Sequence, residues 1–168
     1  MPAAQRKLKF FLCMLLFLQL LFSGCHSFSK LETKYLISLH ELASDDQADS
    51  QLSRTVSDIQ QTRTVRINTY AFLDAKCFYQ AELIPSDDNI KCGLRLYFDR
   101  FGHNTLLQAA AQQKGRPFAV LVDGFFIGLS NFPNRFERRS SLDLEPLWSA
   151  MEAEQIVHYI PKNYRHFN

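Results

Sequence analysis

The sequence lacks most of the short motifs by which enzymes are recognised. It contains no GxSxG, no HExxH and no glycine-rich phosphate loop. Its five histidines are scattered without the spacing of metal ligands. No CxxC pair occurs among its four cysteines, which leaves a thioredoxin-like redox role without support. We therefore predict no catalytic, cofactor-binding or metal-binding residues.

An excess of charge of one sign is also missing. The chain has 19 Lys and Arg residues and 17 Asp and Glu residues. Residues 1–24 hold three of the basic residues (Arg6, Lys7 and Lys9) and none of the acidic ones, so residues 25–168 carry 16 basic and 17 acidic side chains. A nearly neutral domain without a basic stripe argues against nucleic acid as a partner.

Only one long apolar run is present, and it lies near the start of the chain. Residues 10–22 form a 13-residue stretch that is apolar except for Gln19, directly after the three basic residues. A membrane-spanning helix needs roughly 20 apolar residues, whereas this length suits the apolar region of a signal peptide. Two small residues and Cys25 follow.

This order of basic residues, short apolar run, small residues and cysteine resembles a bacterial lipoprotein signal. The resemblance implies that residues 1–24 are a signal peptide that is removed, that Cys25 is lipidated with palmitate-type acyl chains, and that residues 25–34 form a tether. The family usually has leucine three residues before the cysteine, where this sequence has Phe22. An ordinary signal peptide cut elsewhere and an uncleaved anchor are the alternatives.

The residue after Cys25 bears on localisation. It is His26 rather than aspartate, which resembles an outer-membrane address in enteric-type sorting. We therefore expect a protein held to a membrane of the bacterial cell envelope by its N-terminal lipid and facing the periplasm, with the outer membrane favoured.

Residues 35–168 predict a single small α+β domain, mostly antiparallel sheet with two main helices packed on one face. Short runs with alternating polarity predict strands, and residues 71–77 predict one helical turn. Asp99 is a good N-cap for a helix running to about Lys114. Ser149 and Glu152 form a capping box that opens a second helix, which we expect Pro161 to stop.

Asp123 and Gly124 lie between two apolar runs, which predicts a two-residue hairpin turn with positive φ at both positions. Pairing across this turn puts six apolar residues on one core face: Phe118, Val120, Val122, Phe125, Ile127 and Leu129. Leu121 and Phe126 lie on the opposite face. They could form an exposed contact site, or another helix or the N-terminal strands could cover them; we favour the second alternative.

Four segments of this domain resemble the head subdomain of the first periplasmic domain of SecD, the translocase accessory protein also found as SecDF. They are residues 72–83, 96–102 and 115–124, and more weakly 148–154, so the likeness covers about residues 72–160. The sequence departs from the family in its late Pro133 and in lacking the family's bundle of transmembrane helices.

The resemblance implies a small α+β module that binds protein in the periplasm and carries no catalytic residues. We therefore interpret the chain as a membrane-anchored lipoprotein acting as a non-catalytic binding or adaptor module for an envelope protein. An envelope hydrolase and an inhibitor of a periplasmic enzyme are the alternatives. The enzyme would need Asp99 and His103, four residues apart, to converge with another carboxylate in a pocket.

Two further sets of residues are candidates for a role. Cys77 and Cys92 either form a disulfide or remain free thiols. A regular hairpin would hold them roughly 16 Å apart, which is too far for a disulfide, whereas a break in the strand near Cys77 could bring them together. A partner surface is predicted where aromatic and arginine residues are dense: Phe125, Phe126, Phe132, Arg135, Phe136, Arg138 and Arg139. The competing interpretation is that these phenylalanines fill the core.

Overall fold

A computed structural model describes residues 32–44, 51–86, 90–133 and 141–168. The chain divides into two units, residues 1–32 and 33–168. All elements described below belong to the second unit. The predicted signal peptide and Cys25 lie outside the described residues.

The second unit contains nine strands and two helices in its described part. The strands are β1 (Ile37–Glu41), β2 (Ser53–Ser57), β3 (Thr64–Asn68), β4 (Leu73–Asp74), β5 (Phe78–Pro85), β6 (Cys92–Phe98), β7 (Pro117–Val122), β8 (Phe125–Asn131) and β9 (Ser141–Trp148). The helices are α1 (Arg100–Gln112) and α2 (Ala150–Phe167). The predicted α+β class is confirmed.

The strands form three antiparallel sheets. The first has the order β4-β1-β7-β8, the second has the order β5-β6-β9, and β2 and β3 pair as a separate hairpin. The main core lies among the two larger sheets and both helices. Each helix contributes one buried stripe to this core: Leu106, Ala109 and Ala110 from α1, and Ala153, Ile156 and Ile160 from α2.

Both helices begin as predicted. The Asp99 carboxylate accepts a hydrogen bond from the Gly102 backbone N–H at 2.8 Å. The Ser149 hydroxyl accepts from the Glu152 N–H while the Glu152 carboxylate accepts from the Ser149 N–H, so both halves of the capping box are present. These bonds satisfy N–H groups that the first helical turn leaves without partners.

The predicted end of α2 is wrong, because the helix continues through Pro161 to Phe167. A proline inside a helix costs about 3 kcal/mol, and side chains beyond it supply compensating bonds. The Asn163 amide donates to the Lys34 carbonyl at 2.7 Å, the Tyr164 hydroxyl donates to Asp99 at 3.3 Å, and the Asn168 amide donates to the Lys76 carbonyl at 3.0 Å.

The Asp123-Gly124 turn is confirmed, with φ of 50° and 85° at its two residues. The predicted core face of its second strand is partly wrong. The pairing of β7 with β8 shifts by one residue at Ile127, so Val120 pairs with Gly128 and Ala119 pairs with Leu129. Leu129 therefore leaves the core face and is 42% exposed, and Phe125, at the start of β8 beside the turn, is 46% exposed and outside the core as well.

The segment between β3 and β5 also differs from the prediction. Instead of one helical turn it forms the short strand β4, which pairs with β1 through Leu73 and Asp74. The Asp74 carboxylate then accepts the Lys76 N–H at 3.0 Å and turns the chain into β5. A strand of two residues is too short to show an alternating pattern, which is why the sequence does not reveal it.

Candidate functional site

The structure separates the members of the predicted partner surface. Phe125 is 46% exposed, whereas Phe126 and Phe132 are only 6% and 2% exposed. The prediction is therefore wrong for Phe126 and Phe132, whose rings are core groups with almost no free area for a partner. The other four members (Arg135, Phe136, Arg138 and Arg139) lie outside the described residues, and their role stays a prediction.

Phe132 belongs to an aromatic group inside the main core. Its ring lies 4.8 Å from that of Phe118 and 5.1 Å from that of Phe72, measured between centroids. Phe125 and Phe132 also stand at opposite ends of β8, which places them roughly 20 Å apart at ordinary strand rise. The two ends of this strand cannot contribute to one small contact patch.

Phe126 and Leu121 are covered by the β2–β3 hairpin, in agreement with the favoured alternative that N-terminal strands cover them. Val56 of β2 and Ile67 of β3 are buried against them and Ala119 in a second, smaller apolar cluster. The Arg63 guanidinium lies over the Phe126 ring, 5.8 Å from its centroid, and donates to the Ile127 carbonyl at 3.3 Å.

Asp99 and His103 do not form an acid–base pair. One oxygen of Asp99 accepts the Gly102 N–H and the other accepts the Tyr164 hydroxyl, while His103 meets Asp99 through its backbone N–H. Within the described residues, no hydrogen bond or ion pair joins the two side chains. Burial, followed by the charge of Asp99 and the bond to it, raises the pKa of Tyr164 above its usual value of 10.

The β4 segment is flanked by two clefts that the sequence did not reveal. The larger, of about 590 Å³, lies between this segment and the start of α1 and contains Phe72, Asp74, Lys76, Cys77, Asp99 and Phe101. The smaller, of about 370 Å³, is lined by Leu36–Ser38, Asp74–Lys76, Asp123, Gly124 and Phe167. Asp74 and Lys76 face both clefts.

The chemistry of the larger cleft does not suit a thiol nucleophile. Cys77 is only 5% exposed, and burial raises the pKa of its thiol, with the charges of Asp74 and Asp99 adding to that effect. A buried thiol with a raised pKa stays protonated near neutral pH and reacts poorly. What the cleft does offer is a carboxylate, an ammonium group and the Phe101 ring, which is 71% exposed at its rim.

Cys77 and Cys92 are both free thiols, so the alternative without a disulfide describes the structure. The two residues lie at opposite ends of the β5–β6 hairpin. Cys92 pairs with Pro85 at one end, while Cys77 precedes Phe78 at the other end. That separation is roughly 23 Å or more along the strand, far beyond the Cα distance of about 7 Å that a disulfide allows.

The described part of the chain contains neither a metal-binding cluster nor a membrane-spanning helix. No group of three or more His, Cys, Asp or Glu side chains there could hold a metal ion. Neither of the two helices in those ranges has the length and apolar character to cross a membrane.

Comparison with known proteins gives a likeness in fold. No protein-family model matches the chain, and no curated protein sequence matches it. A structure described as "Structure and function of a membrane component SecDF that enhances protein export" superimposes with a TM-score of 0.56 at 11% identity, over 77% of this chain and 63% of that one. SecDF in its "Super-membrane-facing form" gives 0.56 at 13% identity, over 79% of this chain and 20% of that one. The chain thus spans less than two thirds of either, and the described domain has a SecDF-like fold.

Proposed function

We propose that this protein is a lipid-anchored module of the bacterial cell envelope that faces the periplasm, binds another protein and performs no catalysis. The observation that carries the proposal is the fold shared with SecDF over more than three quarters of the chain. That protein is described as a membrane component that enhances protein export, and this description supports a role in which the module meets another protein at a membrane. The lipoprotein-like N-terminus supports the anchoring half of the proposal.

The described chemistry supports a binding role over the hydrolase alternative. Both oxygens of Asp99 already serve structural bonds, to the first turn of α1 and to Tyr164. The thiol of Cys77 is buried with a raised pKa. An exposed aromatic ring beside charged groups, as at Phe101, suits contacts with polypeptide side chains, since aromatic residues are enriched at protein interfaces.

Anchoring is tested by replacing the proposed lipidation site. Cys25→Ser removes the only thiol at the proposed cleavage point, so we expect the protein either to stay uncleaved or to be released without acyl groups. Mass spectrometry of the wild-type N-terminus should show a diacylglycerol-modified and acylated Cys25, and membrane fractionation should show the variant lost from the outer membrane. An unmodified Cys25 in the mature wild-type protein would contradict the anchor without touching the binding role.

Binding is tested by crosslinking the lipidated protein to its neighbours in intact envelopes. We expect the double variant Arg138→Ala, Arg139→Ala to lose most of the captured partner, because arginines at interfaces often contribute about 2 kcal/mol or more. If the two arginines act only through the partner, the free energy of unfolding should stay within about 0.5 kcal/mol of wild type, the usual range for substitutions without a structural role.

The matched control removes two exposed cations that line neither cleft, Lys91→Ala with Lys114→Ala, and should leave capture unchanged. Phe101→Ala tests the larger cleft in the same assay. Loss of capture in Phe101→Ala with full capture in the arginine variant would move the contact surface to the cleft. Full capture in both would overturn the proposed surfaces altogether.

A further inference from the structure

His40 is the most buried histidine of the described residues, and its ring connects the β2–β3 hairpin to the first sheet. It lies in β1, is 2% exposed and pairs with Ala119 of β7. Its Nδ1 lies 2.9 Å from the Asn68 carbonyl oxygen at the end of β3, and its Nε2 lies 3.1 Å from the Ser38 hydroxyl. One imidazole ring therefore connects the hairpin to the strand beneath it.

These partners fix which nitrogen carries the proton in the neutral ring. A carbonyl oxygen can only accept, so Nδ1–H donates to Asn68. Nε2 then accepts from the Ser38 hydroxyl. A second proton would end that acceptor role and place a full positive charge in a site that excludes water.

The charged groups around His40 do not offset that charge. On β2, Arg54 is exposed but close enough to disfavour a second cation. On β1, the Glu41 carboxylate accepts from the Asn68 amide at 3.2 Å. On β7, the residue paired with His40 is Ala119, which carries no charge. Burial first, and the charge of Arg54 in addition, lower the pKa of His40 below its usual 6.5, against the bond to Asn68, which raises it.

The hairpin has an attachment separate from the main core. Its buried side chains, Val56 and Ile67, belong to the smaller cluster with Ala119, Leu121 and Phe126. None of these five residues belongs to the main core cluster. A segment held by a small cluster of its own can open without unfolding the rest of the domain.

We propose that the β2–β3 hairpin is an acid-released cover on the first sheet, held closed at neutral pH by the uncharged His40. Because the folded state binds the proton less readily than the open state, the closed form is fully stable above about pH 6.5 and is lost progressively as the pH falls below it. Opening uncovers the apolar strip of Ala119, Leu121 and Phe126.

Hydrogen exchange followed by mass spectrometry on the lipidated protein tests the cover directly. After correction for intrinsic exchange, the opening constant of peptides spanning residues 53–68 should rise several-fold from pH 7.5 to pH 5.5, with a ceiling of about tenfold for one titrating histidine. Peptides from α2 should keep their protection over the same range.

Three variants assign the response to His40. His40→Asn keeps an amide N–H that can reach the Asn68 carbonyl but cannot titrate, so its hairpin protection should not depend on pH. Arg54→Gln removes the neighbouring cation and should shrink the response, and it serves as the deciding variant should His40→Asn fail to fold. His158→Asn, an exposed histidine of α2, should leave the response unchanged. A response that persists in His40→Asn, one that is undiminished in Arg54→Gln, or one that appears equally in α2 overturns the proposal.

Discussion

Replacing Phe132 by alanine should destabilise the domain by about 3–5 kcal/mol, the usual cost of removing a buried phenylalanine. The ring is 2% exposed and packs between Phe72 and Phe118. The cavity left behind is bounded by these two rigid rings, which limits how far the surroundings can collapse to fill it. Urea or guanidinium unfolding of the purified domain measures the loss.

Phe125→Ala is the matched control, because the same ring is removed from the other end of β8. Phe125 is 46% exposed, so its replacement should cost no more than about 1 kcal/mol. Similar losses in the two variants would mean that the ends of β8 are not packed as described. A fully stable Phe132→Ala variant would contradict the burial of this ring in the main core.

Gly93→Ala should destabilise the domain by about 3 kcal/mol, at the upper end of the usual cost of overpacking. A Cβ atom at this position would lie 2.5 Å from the carbonyl oxygen of Leu144. That oxygen belongs to the backbone of β9, which pairs with β6 on both sides of Gly93. Only a separation of the two strands could relieve the clash, and it would break their hydrogen bonds.

Gly128→Ala is the comparison variant, because its added Cβ atom would meet its nearest neighbour at the same distance as in Gly93→Ala. Its Cβ would lie 2.5 Å from Cδ2 of Leu147, the far end of a flexible side chain. A leucine can turn to another rotamer, so we expect a loss of only about 1 kcal/mol. Thermal or denaturant unfolding of the two variants should show the difference, and equal losses would refute the argument that the backbone contact decides.

Features that depend on adjacent residues were predicted well. The Asp123-Gly124 turn, the Asp99 cap and the Ser149 capping box are each set by the chemistry of residues within four positions of one another. Alternating polarity, by which the sequence predicts strands, is also present in β6, where Leu94 and Leu96 are buried and Arg95 and Tyr97 are partly exposed. Local signals of this kind do not depend on how the domain is assembled.

Features that depend on distant contacts could not be predicted. The register shift at Ile127 places Gly128 under Leu147, a residue of another sheet. Helix α2 passes Pro161 because Asn163 and Tyr164 bond to segments more than 60 residues away. No pattern within either segment carries this information.

In the candidate site, too, features set by adjacent residues could be predicted and features set by distant contacts could not. The density of aromatic residues marked the β7–β8 hairpin as a candidate site but did not separate its core residues from its exposed ones. The β2–β3 hairpin, which covers Phe126, comes from more than 50 residues earlier in the chain. The clefts beside β4 were missed because Asp74 alone suggests only a turn. The lining of the smaller cleft joins residues from both ends of the described domain, such as Leu36 and Phe167.

The hydrogen bonds that hold residues 34–36 have a mechanical consequence. Asn163 holds the Lys34 carbonyl, and the Asp123 carboxylate accepts the N–H groups of Tyr35 and Leu36 at 3.1 and 2.8 Å. β1 follows at once and is paired along both of its edges. Tension applied along the axis of β1 would load these bonds together instead of peeling them apart one by one. A domain attached in this way can resist a pull from a partner without its first strand being drawn out.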